Sequence, residues 1–381
     1  MVYCMMFHMK KIIYILFFIV ISTVIYLTFT QNIIEKNIKF GSSLPLSGIN
    51  KKLGFAIKEG ALTYFDYANK NSLLDDKNIT LISYDDKYEP ELTIENLQKL
   101  LKRDKVFALF GFAGTPTIKA IMPIIVDSNI PFIAPISGAS FLRKPPRKNF
   151  INFRSSYADE IEKITKYLVD KKRLKKIAIF YQNDDYGDDG YIATILSLKK
   201  RRLQLIAEGT YKRNTLSVTQ ALYDIKSANP QAIIMVGAYK PVALFIKRYR
   251  KMDKTDTIFC NISFVNADEL VKELDHKTKN MIFSQIVPSY NDNSIPIVKE
   301  YRKMLKINYP QAKYEFISLE SYIAAKLNVE ALQKIKNHIT RNDFLEKIRI
   351  LSQKYKRRGI FGKVFLFKYQ NKKFIKIESG R

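Results

Sequence analysis

The sequence has no tryptophan, only two cysteines (Cys4 and Cys260) and only three histidines (His8, His276 and His338) in 381 residues. Two cysteines cannot form a disulfide framework or a thiolate metal cage. Three histidines exclude a histidine-rich metal site, so neither a metal nor a cofactor is expected. Acid is scarce as well: 36 Asp and Glu face 64 Lys and Arg, for a net charge of +28. Such an excess raises the question of a polyanionic partner. The basic runs Lys171 to Lys176, Lys199 to Arg202 and Lys354 to Arg358 each sit at an element boundary, with few of the interleaved aromatics that stack on bases. They read as solvated faces, and no nucleic-acid partner is expected.

Catalytic motifs are missing too. There is no Gly-x-x-x-x-Gly-Lys phosphate loop, no Gly-x-Gly-x-x-Gly turn, no Gly-x-Ser-x-Gly elbow and no His-Glu-x-x-His pair. The acidic stretch Asn183 to Gly190 fails as a calcium loop, because no register puts acids at the first, third and fifth places with Gly at the sixth. It reads instead as a strand-to-helix loop whose acids cap the next helix. An enzyme is not expected.

What is present is ample apolar material, 47% of the chain. Disorder is excluded, and at about 150 residues per domain the length suggests two or three compact units. Lys10 and Lys11 precede an uncharged run from Ile12 to Phe29, a basic region followed by an apolar one, which marks export. The Met9-Lys10-Lys11 opening resembles a signal-peptide start, which makes Met9 a candidate start residue. The run is long for a signal, and Thr28 to Gln31 is a poor cleavage site. Residues 1–36 are therefore a signal peptide or an N-terminal membrane anchor. Either way the remainder lies outside the cytoplasm, in the periplasm or on the outer face of the cytoplasmic membrane.

From residue 37 short β-rich runs alternate with helical stretches. Ile38 to Gly41, Ile79 to Tyr84, Val106 to Phe110 and Pro131 to Ala134 read as strands, with helices between them. Arg143 to Lys148 reads as an exposed loop. The alternation then resumes with strands at Ile177 to Tyr181, Leu203 to Ala207, Ala232 to Gly237 and Thr257 to Cys260. Two successive runs of this kind predict an α/β protein of two doubly wound, mostly parallel-sheet lobes. Ligands bind such sheets beyond the carboxyl ends of the strands, so the loops there should line one cleft. Those loops carry small hydroxyl residues: Ser42, Ser43 and Ser47, then Thr115 and Thr117, then Ser137 and Ser140. Amides at helix N-termini with hydroxyls beside them seat a carboxylate or another anion.

The segment Ile38-Lys39-Phe40-Gly41-Ser42-Ser43-Leu44-Pro45-Leu46-Ser47-Gly48 resembles the opening of type I periplasmic binding proteins of the branched-chain amino-acid (Leu/Ile/Val) class. The helix from Gly54 to Asn69, Ser83-Tyr84-Asp85-Asp86, Phe110 to Thr115, Pro135 to Ala139, Tyr181 to Gly187, Val287-Pro288-Ser289 and Ser318 to Tyr322 continue the likeness in order. The resemblance implies a hinge crossed near Arg154, Ser284 and Leu351. One lobe would comprise residues 37–154 plus 284–350, the other 155–283 plus 351–381. It implies a monomer that captures a small polar or carboxylate-bearing solute and delivers it to an ABC permease in the inner membrane. The alternative is a ligand-sensing ectodomain of a membrane-anchored receptor.

Carried over residue by residue, the resemblance seats a carboxylate on Thr115 and on the loop of Ile136, Ser137 and Gly138. Gly138 lacks the family's hydroxyl there, and Ser137 stands next to it. Tyr186 and Tyr239 would close the second lobe over the ligand. The acid that pairs an amino-acid ammonium in the family is replaced by Ser263, which leaves Asp185 or Glu320 as the expected sources of negative charge.

Overall fold

A computed structural model of the chain describes residues 14–23, 37–252, 256–336 and 338–377. Residues 14–23 form a helix, α1, with exposed side chains. Among the described residues no helix is long and apolar enough to cross a membrane. Lys10, Lys11 and Thr28 to Gln31, on which the leader expectation turns, lie outside the described residues.

The first sheet contains β1 (Asn37–Leu44), β2 (Asn78–Asp85), β3 (Ala108–Phe110), β4 (Phe132–Ile133) and β5 (Phe150–Ile151). These strands are parallel throughout, in the order β2-β1-β3-β4-β5. The helices α2 (Lys51–Lys70), α3 (Pro90–Gln98) and α4 (Thr115–Asp127) connect them. Next come α5 (Tyr157–Thr165), β6 (Ile177–Gln182), α6 (Asp185–Lys199), β7 (Leu205–Tyr211), α7 (Thr219–Ser227), β8 (Ala232–Val236), α8 (Tyr239–Met252), β9 (Ile258–Asn261), α9 (Ala267–Glu273) and β10 (Met281–Gln285). The strands among them pair in parallel as β10-β9-β8-β6-β7. β6 and β8 are buried at every residue, as expected for central strands covered by helices on both faces. β7 starts at Leu205, not Leu203, and runs on to Tyr211. It is the edge strand, and its alternating burial hides half of it from a reading based on continuous apolar runs.

The chain then returns to the first sheet with α10 (Pro296–Asn308), α11 (Phe316–Gln333) and α12 (Arg341–Arg357). α11 is buried on nearly every side because α2, α10 and α12 all pack on it. α12 runs unbroken through Leu351, so the passage to β11 (Phe365–Gln370) falls within residues 358–364. β11 and β12 (Lys373–Lys376) close the second sheet as an antiparallel pair beside β10. The architecture is therefore two mostly parallel sheets with helices on their faces, joined by three chain passages.

The strand order reverses between β1 and β3 in one sheet and between β6 and β8 in the other. Both reversals face the contact between the lobes, the place where an open α/β sheet binds ligands. That contact is packed. One apolar cluster holds Leu44, Ile57, Tyr88, Ala113 and Ile136 from the first lobe together with Tyr157, Tyr186, Ile262 and Phe264 from the second.

The basic runs sit mostly at helix C-terminal ends. Lys199 to Arg202 closes α6, and Lys354 to Arg358 closes α12. Cations there complement the helix dipole. Arg201 is further engaged by Glu162 and Asp170.

Candidate functional site

The site begins with the turn after β3. Gly114 takes φ +105°, a region that disfavours any side chain, and a Cβ there would stand 2.3 Å from the Tyr88 ring. That tight turn delivers Thr115 as the first residue of α4, with its side chain fully buried. Thr115 Oγ1 lies 2.8 Å from Ser137 Oγ and 3.4 Å from Tyr157 Oη. Ser137 follows β4, and its hydroxyl accepts from the Ala139 amide at 3.2 Å. Ile136 is held in place by a bridge to Ala113 and packs in the cluster between the lobes. Gly138 is required for close approach, since a Cβ would meet the Tyr157 ring at 2.4 Å. Its carbonyl accepts from the Tyr157 amide at 2.9 Å. Thr115 and Ser137 therefore meet at the Tyr157 hydroxyl, with Gly138 against the Tyr157 ring and Ile136 in the same apolar cluster.

The second lobe contributes Tyr186. Asp184 N-caps α6 by accepting from the Tyr186 amide at 3.0 Å, the capping role expected of this acidic stretch. Tyr186 stacks obliquely on Tyr157 at 5.2 Å and on Phe264 at 4.8 Å between ring centroids, and Phe264 faces Tyr88 at 6.2 Å. These rings form an aromatic box between the lobes. The Tyr186 hydroxyl is buried without a protein partner. Burial pushes the Tyr186 and Tyr88 phenols well above their ordinary range, so both are neutral donors. Gln182 links the box to the second lobe: its side-chain amide donates to Tyr88 Oη at 3.4 Å, and its carbonyl oxygen accepts from the Tyr211 hydroxyl at 2.9 Å.

Ser263 lies beyond β9, as expected, but not as an isolated hydroxyl. Its amide and its Oγ donate to Glu160 of α5 at 2.7 and 2.8 Å, and Ser284 Oγ donates to the same carboxylate. Burial raises the Glu160 pKa. An acid thus does sit behind the position where the family's acid is replaced, but it comes from a different element. Of the two acids expected to supply charge, Asp185 pairs with Lys119 at the rim, and Glu320 is buried in an ion pair with Arg154. Tyr239 opens α8 in a different cluster, together with Phe180, Phe245 and Leu270. Glu269 and Glu273 lie within electrostatic range of it, and its pKa is raised chiefly by burial. It is not part of the aromatic box.

Sequence reasoning missed Tyr88, Tyr157, Glu160 and Phe264, and it placed Arg154 at the hinge without its pairing to Glu320. One signal was available for Tyr157. Ser156 and Asp159 form a reciprocal capping box that starts α5 immediately after the first passage between sheets. That helix brings Tyr157 into the apolar cluster between the lobes. Nothing local in the sequence marks Tyr88 or Phe264.

At the rim the lobes touch through polar contacts. Arg213 donates to Glu89 at 2.9 Å, and Asn214 reaches Glu89 Oε1 at 2.7 Å and the Lys87 carbonyl at 3.1 Å. Ser140 donates to Asp189 on the opposite side. The arrangement sets hydroxyls from one sheet against aromatic rings from the other across the contact between the lobes. Among the described residues no group of acids, histidines and cysteines is placed to hold a metal ion.

Residues 37–375 match a protein family described as "Periplasmic binding protein". The "Leu/Ile/Val-binding protein homolog 7" of Brucella abortus is 21% identical over 313 residues, covering 79% of this chain and 78% of that protein. Among solved structures, a possible leucine/isoleucine/valine-binding protein from Rhodopirellula baltica is 32% identical with a TM-score of 0.83, over 90% of this chain and 97% of that one. A substrate-binding periplasmic protein from Ralstonia solanacearum shares the fold at a TM-score of 0.83 and 24% identity, over 89% of this chain and 100% of that one.

Proposed function

Because the chain belongs to the periplasmic binding protein family, we propose that it is an exported protein that captures a small carboxylate-bearing, amino-acid-like solute between its lobes and delivers it to an ABC permease. The family is one of binding proteins, so the chain is a binding protein and not an enzyme. The observation that carries the ligand reading is the convergence of Thr115 and Ser137 from one sheet with Tyr157 and Tyr186 at the strand-order reversals of both. Thr115 opens a helix, where the aligned peptide dipoles favour an anion. The binding residues in this reading are Thr115, Ile136, Ser137, Gly138 and Tyr186, joined by Tyr157, with Ser263 acting through Glu160. The lobes divide near Arg154, after β10 and after α12. A ligand touching both lobes selects the closed form by its difference in affinity for the two states.

Mass spectrometry of the small molecules released from natively purified protein tests this. A stoichiometric carboxylate supports the reading, and a nucleotide or a sugar without an acid group overturns it. The uncharged run Ile12 to Phe29 supports a second reading, an anchored sensor. N-terminal sequencing of the mature protein after membrane fractionation separates the two.

A further inference from the structure

The acids around the aromatic box are committed to protein donors. Glu160 accepts three hydrogen bonds, from the Ser263 amide, Ser263 Oγ and Ser284 Oγ. Glu320 has both oxygens on Arg154. Asp184 accepts from the Tyr186 amide, from Gln182 and from Arg213. Asp86 accepts from Ser43, Thr93 and the Tyr88 amide. Asp185, at the rim, pairs with Lys119. Each of these carboxylates thus already accepts from protein donors, and a ligand ammonium would have to compete with them.

The donors show the reverse. Arg154 Nη1 and Tyr186 Oη are both buried and without a protein partner. Most buried polar side-chain atoms have a partner, so each of these two calls for one, and both residues have Tyr157 and Glu160 as neighbours. Arg154 is within electrostatic range of both the Tyr157 hydroxyl and Glu160, which places its guanidinium at the same cluster. A second guanidinium stands behind it. Arg143 makes no ion pair among the described residues and bonds main-chain carbonyls, of Ala139 at 2.8 Å and of Arg154 at 2.8 Å. The surrounding walls are the apolar ring faces of Tyr88, Tyr157, Tyr186 and Phe264.

We propose that the ligand is a monocarboxylate with an apolar or aromatic body and no α-ammonium group, its carboxylate taken by Arg154 Nη1 and Tyr186 Oη beside Thr115. This rests on the cleft reading above and narrows it. An α-amino acid would bring an ammonium into a buried site whose acids already have protein donors, and burying a poorly paired charge is costly. The des-amino acid keeps the carboxylate and the body and avoids that cost.

Calorimetry and thermal-shift measurements on the full exported chain, stripped of ligand by reversible unfolding, test the distinction with four probes. They are leucine, 4-methylpentanoate, phenylalanine and 3-phenylpropanoate at neutral pH. The expected result is that the tightest binder is one of the two des-amino acids, at least about tenfold tighter than its amino-acid counterpart. If the tightest binder is leucine or phenylalanine, the inference fails while the cleft reading stands. If none of the four binds or raises the melting temperature, the carboxylate reading of the cleft fails and the inference falls with it. Arg154→Lys is a second probe, because it keeps a charge toward Glu320 but removes the forked donor. Where that variant folds, affinity for the preferred des-amino acid should drop at least about tenfold, and unchanged affinity overturns the assignment of Arg154.

Discussion

Arg154 and Glu320 meet through two parallel hydrogen bonds, Nε to Oε1 at 2.9 Å and Nη2 to Oε2 at 2.8 Å, with both side chains almost wholly buried. One stands at the first passage between the sheets, and the other is on α11 of the first lobe. The pair therefore ties the start of the hinge to the most buried helix. Breaking such a pair from one side leaves an uncompensated buried charge. Glu320→Ala should lower stability by about 3–5 kcal/mol, whereas the Arg154→Met, Glu320→Leu double variant should cost less. Urea unfolding of the three proteins checks this. A single variant that costs no more than the double would show that the pair does not act as a unit.

Tyr186→Phe removes only a hydroxyl that has no protein partner. Folding stability should change by less than about 1 kcal/mol, while ligand affinity falls by about 1–3 kcal/mol as the bound acceptor loses its donor. Thr115→Ala should weaken binding over the same range. Tyr186→Ala is a poor probe, because deleting a fully buried ring that contacts Tyr157 and Phe264 costs about 3–5 kcal/mol of stability. Calorimetry with the co-purified ligand, alongside urea melts, separates the two effects.

The pH dependence has a definite sign. Burial raises Asp86 from 3.8 to about 6. A carboxyl whose folded pKa is raised contributes stability that is fully present below its unfolded pKa and lost as pH rises through the folded value. Asp86 should therefore disfavour the folded state progressively between about pH 4 and 6. In Asp86→Asn the new amide can donate to the Ser43 and Thr93 hydroxyls, while Oδ1 still accepts from the Tyr88 amide. Relative to wild type, the variant should gain stability as pH rises from 4 to 7. A wild-type-minus-variant difference that stays flat across that range would falsify the assignment of the charge to Asp86.

Asp268 and Glu315 extend the same trend. Burial raises both carboxyls above their ordinary range, and Glu315 is pushed further by the charge on Asp268. Lys272 bridges Glu269 and Glu315, and Tyr290 donates to Asp268. This cluster bridges α9 and the start of α11. Wild-type stability should be lower at pH 8 than at pH 5.5, with Glu315→Gln reducing the difference in urea midpoints.

The rim contacts predict a shift in the opening equilibrium. Arg213 and Asn214 hold Glu89 and the Lys87 carbonyl across the cleft from partly exposed positions. Exposed pairs are each worth only about 0.2–1 kcal/mol. Replacing both residues with alanine should therefore bias the ligand-free protein toward the open form without unfolding it. Small-angle scattering should show a larger radius of gyration for the double variant without ligand and convergence with wild type once ligand is added.

The sequence by itself determined the α/β alternation, the parallel sheets, the place of Thr115 at a strand-to-helix junction and the helix-capping role of the acidic stretch that holds Asp184. Each of these rests on local periodicity or on a turn of a few residues, as with the buried runs of β6 and β8 and the tight turn at Gly114. β7 was mislocated because an edge strand alternates in burial and its apolar signal is halved. Only the tertiary structure decided which acid stands behind Ser263, because Glu160 is separated from it by four strands and three helices along the chain. Likewise, pairing Arg154 with Glu320 and gathering Tyr88, Tyr157, Tyr186 and Phe264 into one box required two lobes and a return passage. Periodicity reports which face of an element is buried. It carries no information about which distant element covers that face, and the chemistry of this cleft is set by that second fact.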